Sequence, residues 1–509
     1  MKVLNIKKTT GTKLVGGSLP DIDTDFASDK RSLIKDYMEE RFGKSQVASV
    51  GTVSALKLKG ALKDLDRQLG NNVKLANIAS SIIDGSPGGD KTMLDLYKRA
   101  ASEPKLKEFI KINSDLFHMM PSILNQPKSK SIHACAVIIT PWQMSVNEWV
   151  PTRTQKGLTV TEWNGDEMDN AGFLKEDILG LAELEHFHNI LELLDNIGED
   201  APDIYNLPHD REVYRYFGNG WNGGIFQMGT DSLSAFTKQM KPQTLEDLIA
   251  TVSLYRPGPI ENGYHIKYVQ CKNEGRSPEY LWGTEDITKD TYGILCYQEQ
   301  IMQICQVLGG LTLQEADDVR RAMGKKKVKE MEVWKPKIKE NYLKRGATEE
   351  QMEEAWNVMV EFAKYSFNRS HAAAYALTGY IGQYLKVRYP LEYWTIYLSK
   401  SSEEDKIKYL SEIFSSKGIS IEAANINMSG VKMTSNSELK TIYWGIESIK
   451  GIGEATAQQI VDIRSKGGQY KSFKDFLDRN LFTGSKVKKT AVEALISCGA
   501  FDKMYGYEI

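Results

Sequence analysis

The stretch Leu19-Pro-Asp-Ile-Asp-Thr-Asp-Phe26 leaves the backbone few choices, because apolar and acidic residues alternate along it. A strand repeats its side chains every two residues, so Asp21, Asp23 and Asp25 share one face and Ile22 points to the other. Carboxylates at i and i+2 can then point into one solvent pocket. Ser28 is expected to cap a following helix whose apolar residues Leu33, Ile34, Tyr37, Met38 and Phe42 fall at helical spacing, with Gly43 ending it.

Further along, residues 53–130 read as a mostly helical insert broken by Asp84-Gly-Ser-Pro-Gly-Gly-Asp90. The run His133-Ala-Cys-Ala-Val-Ile-Ile-Thr140 is continuously apolar and rich in β-branched residues, which predicts a buried strand. Asp177, next to Glu176, stands at the head of the apolar residues that close Phe173–Leu181, ahead of a helix. Helices dominate from about 196 to 430. Thr244 with Asp247 opens one that runs to a stop at Arg256-Pro-Gly-Pro259. Ile301, Ile304, Cys305 and Leu308 stripe another, and Thr312 with Glu315 forms a capping box before Arg320 and Arg321. Asn368 opens a helix that ends at Tyr389-Pro390. Near the end, Ile446–Gly453 followed by Glu454–Ile460 fits helix, Gly-Ile-Gly hairpin and second helix. Such glycines let a phosphate approach backbone N–H groups, although a plain helix-helix turn gives the same string.

At 509 residues the chain exceeds one hydrophobic core and implies about three or four domains. A composition of 41% hydrophobic and 26% charged residues excludes collagen-like, low-complexity and disordered classes. No run of about 18 apolar residues is present, so no membrane partner is expected. The first residues carry no apolar signal-peptide core. The five cysteines (135, 271, 296, 305 and 498) are scattered without a CxxC pair, which suits a reducing cytoplasm. Net charge is −2, yet residues 320–345 hold eleven basic against three acidic residues, a local excess of +8. Taken alone, such a run is a solvated helical face.

Two strand carboxylates joined by a third from elsewhere can hold two Mg²⁺ ions, which prefer oxygen ligands and keep waters and phosphates in their shell. That arrangement serves phosphoryl transfer. A calcium loop starting at Asp21 fails, because Phe26 and Ser32 stand where glycine and glutamate are required. An exposed acidic strand face remains open on spacing alone. His186 and His188 are read as helix-surface residues, and His133 and His371 as packed or hydrogen-bonded histidines. No nucleophile elbow or P-loop occurs.

Six motifs occur in one order: Pro20–Phe26, Lys175-Glu-Asp-Ile-Leu-Gly-Leu181, Leu254-Tyr-Arg-Pro-Gly-Pro259, Tyr297-Gln-Glu-Gln-Ile-Met302, Arg320-Arg-Ala-Met-Gly-Lys-Lys-Lys327 and Phe367-Asn-Arg-Ser-His-Ala-Ala-Ala-Tyr-Ala376. Together they closely resemble the C-family replicative DNA polymerases, the family of the bacterial DNA polymerase III alpha subunit. The resemblance implies an α+β fold with a polymerase β-like nucleotidyltransferase palm built on a mixed sheet. The palm would occupy 1–52 and 132–181, with an inserted helical thumb at 53–131. Large helical fingers would follow at 182–430 and a helix-hairpin-helix region at 431–509. It also implies that Asp21, Asp23 and Asp177 bind two Mg²⁺ ions, with Asp25 spare. Lys175, Arg320, Arg321, Asn368, Arg369 and His371 would meet the incoming nucleotide. Lys325, Lys326, Lys327, Lys450, Gly451 and Gly453 would meet DNA, and this context moves the basic run from solvated face towards function.

The implied activity is template-directed DNA synthesis from dNTPs on primer-template DNA in the cytoplasm of a bacterium or phage-infected host. Two family features lack counterparts: the Gly-Ser loop that cradles the triphosphate, for which Val15-Gly-Gly-Ser18 is a poor stand-in, and the N-terminal phosphoesterase-like domain. The expectation is the carboxyl part of a split polymerase, of the kind a phage encodes, or a truncated form; in the split case a second polypeptide supplies the start of the palm, and a sliding clamp is reached through that or another subunit. The competing reading is a non-catalytic DNA-binding or scaffold subunit of a replication complex.

Overall fold

The computed structural model describes residues 8–9, 13–14, 22–85, 89–141, 144–324, 333–363, 365, 367–415 and 418–505. The chain divides into two units, residues 1–185 and 186–509, and the division falls within the helix Ala182–Asn196.

The first unit is built on a six-stranded mixed sheet. Its strands are β1 (Ile22–Ala27), β2 (Val47–Ala55), β3 (Pro127–Ile139), β4 (Thr152–Gln155), β5 (Leu158–Thr161) and β6 (Lys175–Leu181), in the order β1-β6-β3-β2-β5-β4. β1 runs parallel to β6, while β3 is antiparallel to both β6 and β2. Helix α1 (Arg31–Phe42) covers one face, where Phe26, Ile34, Met38 and Phe42 pack on Val47, Val137, Ile139 and Ile178. The opposite face buries Ala48, Val50, Ala136 and Ile138 against Met168, Trp163 and Phe173.

Ser28 does not cap α1. The chain first turns, with Lys30 N–H donating to Ala27 O, so Lys30 occupies the cap position and the helix starts at Arg31. Gly43 ends it in a positive-φ conformation, as the spacing predicts. Strand β3 is longer than its apolar run. Its polar half, from Pro127, continues to pair with β2 beyond the packed sheet, where one apolar face is no longer required. Between β2 and β3, five helices spanning Leu58–Ile123 close round their own core of Leu62, Leu96, Leu106, Phe117 and Met120. Gly51 is needed where β2 passes β5, since a Cβ there would lie 2.0 Å from Thr161 O.

In the second unit the local signals hold. Helices α2 (Arg211–Asn219), α3 (Asp231–Met240) and α4 (Leu245–Leu254) come first, and α4 starts at the Thr244–Asp247 capping box. The Arg256-Pro-Gly-Pro259 stop is also a start. Proline fits the first helical turn, so Pro257–Glu261 forms a short helix. Helices α5 (Gln298–Val307), α6 (Leu313–Gly324) and α7 (Lys335–Lys344) share a core of Ile301, Ile304, Cys305, Val319, Tyr342 and Trp356. Helix α8 (Arg369–Arg388) begins at Asn368, and Pro390 begins a further helix.

The carboxyl end carries a three-stranded mixed sheet and α9 (Glu454–Gly467) with two later helices around Ile446, Ile460, Phe476 and Leu495. The expected helix before the hairpin is only a 3₁₀ turn, Ile446–Ser448. Gly445 lies so close to the Val431 and Lys432 backbone that the chain is pinned before a full helix can form. His186 is not a surface residue, because its ring packs edge-on against Tyr397. Among the described residues no helix is long and apolar enough to cross a membrane.

Candidate active site

In the first unit the parallel register of β1 on β6 sets Asp23 beside Asp177 and Asp25 beside Leu179. On the other flank of β6, Ala136 pairs with Asp177 and Ile138 with Lys175. Asp177 therefore lies on an interior strand with neighbours on both sides. Its Oδ1 is buried and has no hydrogen-bond partner among the described residues. A buried carboxylate oxygen without a donor is costly, and a hard cation is what such an oxygen suits. This donor chemistry fits Mg²⁺. Asp21 lies outside the described residues and Asp23 is described by its backbone alone. Accordingly, the described residues assemble no group of three metal-ligating side chains.

His133 is hydrogen-bonded, one of the two states expected of it, and it lies beside Asp177. Between the pairs Ser49–Val137 and Gly51–Ile132, Val50 alone opposes His133–Ala136, so β3 bulges. The His133 Nδ1 accepts from the backbone N–H groups of Cys135 (3.2 Å) and Ala136 (2.8 Å) and lies 3.9 Å from Asp177 Oδ1. With Nδ1 used as an acceptor, the neutral ring carries its proton on Nε2. Nothing in the spacing signals this, because the bulge depends on the partner strand. Lys175, two residues before Asp177, places its Nζ 2.9 Å from Asp169 Oδ2.

In the second unit a set of contacts links Arg320 and Arg321 to the start of α8, which carries Asn368, Arg369 and His371. Arg320 donates from Nε to Asp317 (2.8 Å) and from Nη1 to Gln298 Oε1 (3.0 Å). Arg321 reaches the second Asp317 oxygen at 2.5 Å. Burial pushes the Asp317 carboxyl up, but the Arg320 hydrogen bond and the two guanidinium charges overcome it and hold the group low. Gln298 N–H donates to Phe367 O (2.9 Å), which ties α5 to the start of α8. Asn368 is the N-cap of α8, its Oδ1 accepting from His371 N–H (3.0 Å). Arg369 pairs with Glu246 (2.9 Å), its backbone N–H donates to Glu299, and its guanidinium sits over Tyr297. The His371 ring lies tilted by 32° against that of Tyr375, with centroids 4.0 Å apart.

Sequence reasoning missed Asp317, Glu246 and Glu299. Asp317 was findable, since it stands three and four residues before the arginines, but the glutamates come from other helices. Lys325, Lys326 and Lys327 lie outside the described residues. The rest of the basic run is largely ion-paired: Lys335 with Glu353, Lys337 with Glu315, Lys339 with Glu349 and Lys344 with Glu340. That portion behaves as a solvated face. Lys337 and the Thr312 backbone hold the Glu315 carboxyl down at about 2. At the hairpin, Gly451 has φ +95° with open space around it, and Gly453 starts α9 without a side-chain cap. The adjoining N–H groups and Lys450 suit an anion.

Comparison with known proteins defines the class first. Residues 14–180 match the bacterial DNA polymerase III alpha NTPase domain, 183–346 the finger domain of the same subunit, and 418–508 a helix-hairpin-helix motif. The chain is 33% identical over 95% of its length to the DNA polymerase III subunit alpha of Aquifex aeolicus and 34% identical over 95% to that of Thermus aquaticus. A third relative, from Campylobacter jejuni, is 31% identical over 96% of the chain. The chain belongs to the DNA polymerase III alpha subunit family. It spans 43%, 40% and 41% of the length of these three relatives.

Proposed function

We propose that this chain carries out template-directed DNA synthesis in replication, moving a deoxynucleotidyl group from a dNTP to a primer 3′-hydroxyl and releasing pyrophosphate. The observation that carries the reading is the register that sets Asp23 beside Asp177, together with the buried Asp177 oxygen that has no donor among the described residues. In this reading the sheet of the first unit is the palm, the helices 58–123 are the thumb, and the second unit holds the fingers. Asp21, Asp23 and Asp177 hold Mg²⁺, which when bound supplies activation of the hydroxyl and neutralises charge on the leaving pyrophosphate. Arg320 and Arg321 present guanidinium forks to triphosphate oxygens, and Asp317 keeps them aimed. Lys175 and Arg369 add charge for phosphate, and Asn368 sets the start of α8, where His371 offers a ring to the nascent pair. Lys325, Lys326, Lys327, Lys450, Gly451 and Gly453 hold the DNA backbone. A second polypeptide that completes the palm belongs to the same proposal, and adding the product of the adjoining reading frame to the assay tests it.

The scaffold reading draws on one observation: Arg320, Arg321 and Arg369 all have carboxylate partners. Primer extension separates the two. Asp177→Asn is expected to lower synthesis by at least about a hundredfold, as losses of transition-state electrostatic groups do, with DNA affinity unchanged. Wild-type protein that binds DNA but never extends a primer, alone or with its neighbour's product, would sink the polymerase reading.

A further inference from the structure

In the second unit, α2 and the α3–α4 connection enclose a cleft of about 690 Å³ lined by His209, Arg211, Tyr214, Arg215, Lys241 and Thr244, among others. No carboxylate is among its lining residues. The acids nearby are already engaged. Asp210 pairs with Arg388, Glu212 with Arg388 and Arg215, and the Asp247 carboxylate accepts from the N–H groups of Gln243 and Thr244 and pairs with Lys272. Neither Arg211 nor Lys241 has an ion-pair partner among the described residues. Arg215 keeps only a long 3.4 Å contact to Glu212.

The cleft is also built rather than incidental. Lys241 ends α3 in the left-handed region (φ +46°), a conformation that costs a lysine free energy. His209 is fixed by Nε2 donating to Gln243 O at 2.9 Å and by its ring lying 4.8 Å from that of Tyr214. Tyr214 itself is buried and backed by Tyr380 at 5.2 Å.

Like charges gathered along a concave wall concentrate the field on whatever anion enters. Guanidinium forks match phosphate oxygens in shape as well as charge. The volume suits a ligand of one or a few nucleotides, while the cationic walls do not suit an apolar one. We propose that this cleft binds a phosphate group, supplied by a nucleic-acid backbone or by a free polyphosphate, through residues other than those assigned to the nucleotide or to DNA above. Its readout is binding alone, so it stands or falls independently of whether the chain synthesises DNA.

The test uses the full chain and the double variant Arg211→Gln, Lys241→Asn. Both positions are at the surface, and asparagine tolerates the left-handed backbone. Thermal melting checks the fold, with Arg211→Gln alone as the second variant should the double melt early. Anisotropy of a fluorescein-labelled single-stranded oligonucleotide across a salt series reads the backbone arm. Loss of two phosphate contacts flattens the log K against log [salt] slope by about 1.4. Equilibrium dialysis with inorganic pyrophosphate reads the free-phosphate arm, where the variant loses one bound equivalent. Either result supports the cleft and identifies the source of its phosphate. A folded variant with an unchanged slope and unchanged pyrophosphate stoichiometry overturns it.

Discussion

His133 commits the lone pair of its Nδ1 to the N–H groups of Cys135 and Ala136, and that commitment shapes the backbone next to Asp177. The bulge would otherwise leave two donors without an acceptor, at about 1–3 kcal/mol for a buried one. His133→Leu removes the acceptor and is expected to destabilise the protein by roughly 1–3 kcal/mol, read as a lower urea midpoint at constant m. His133→Asn should recover most of that loss, because an asparagine oxygen accepts from N–H groups two and three residues ahead. If asparagine falls as far as leucine, the ring's Nε2 or its packing matters more than the Nδ1 acceptor. The arginine pair is held differently, by charge. Asp317 meets both Arg320 and Arg321, which fixes two flexible side chains at once.

Helix α8 shows how a local signal becomes a positioned element. The Asn368 side chain caps it, and the first turn then carries Arg369 and His371 into contact with Glu246, Glu299 and Tyr375. Asn368→Ala is expected to cost about 0.5–2 kcal/mol, and Asn368→Asp to restore the loss, since either oxygen caps the same N–H. Chemical denaturation of both variants measures this, and an aspartate as damaging as alanine would argue against capping as the residue's main role. Signals of this kind were legible. Thr244 with Asp247 and Thr312 with Glu315 form the reciprocal bonds their spacing implies, because both partners lie within one turn. Elements whose geometry depends on distant chain were not legible. The bulge at His133 and the glutamates on Arg369 require pairing or packing between segments far apart in sequence, whereas the meeting of Asp23 with Asp177 was legible only through the family resemblance. The shortened 3₁₀ turn before the hairpin has the same origin, in the contact of Gly445 with the Lys432 backbone.

At the scale of the molecule, a net charge of −2 hides a balance of paired acids whose titration sets the acid limit of stability. Asp210 is the clearest case. Burial raises its carboxyl, but the Arg388 hydrogen bond and charge, with the Glu212 N–H, outweigh burial and leave the group below its ordinary value. A depressed folded pKa means the unfolded chain takes up the proton first. The stabilisation is therefore complete above about pH 4, the unfolded value, and is lost as pH falls through the lower folded value. Asp317 acts in the same direction. Glu176 and Glu392 are raised by burial and act in the opposite one, so the whole-protein curve mixes both signs. A single substitution isolates one contribution. Asp210→Asn keeps the cap on α2, because asparagine also accepts from the Glu212 N–H, and removes the charge together with the Oδ2 acceptor that meets Arg388. After screening of the part-exposed Arg388, the variant should be less stable by about 1 kcal/mol at neutral pH. The gap should close below pH 4, where the wild-type carboxylate also loses its charge. Denaturant midpoints across a pH series check this. A difference that persists unchanged into strong acid would show that the Asp210–Arg388 charge pair is not what links the stability of this protein to pH.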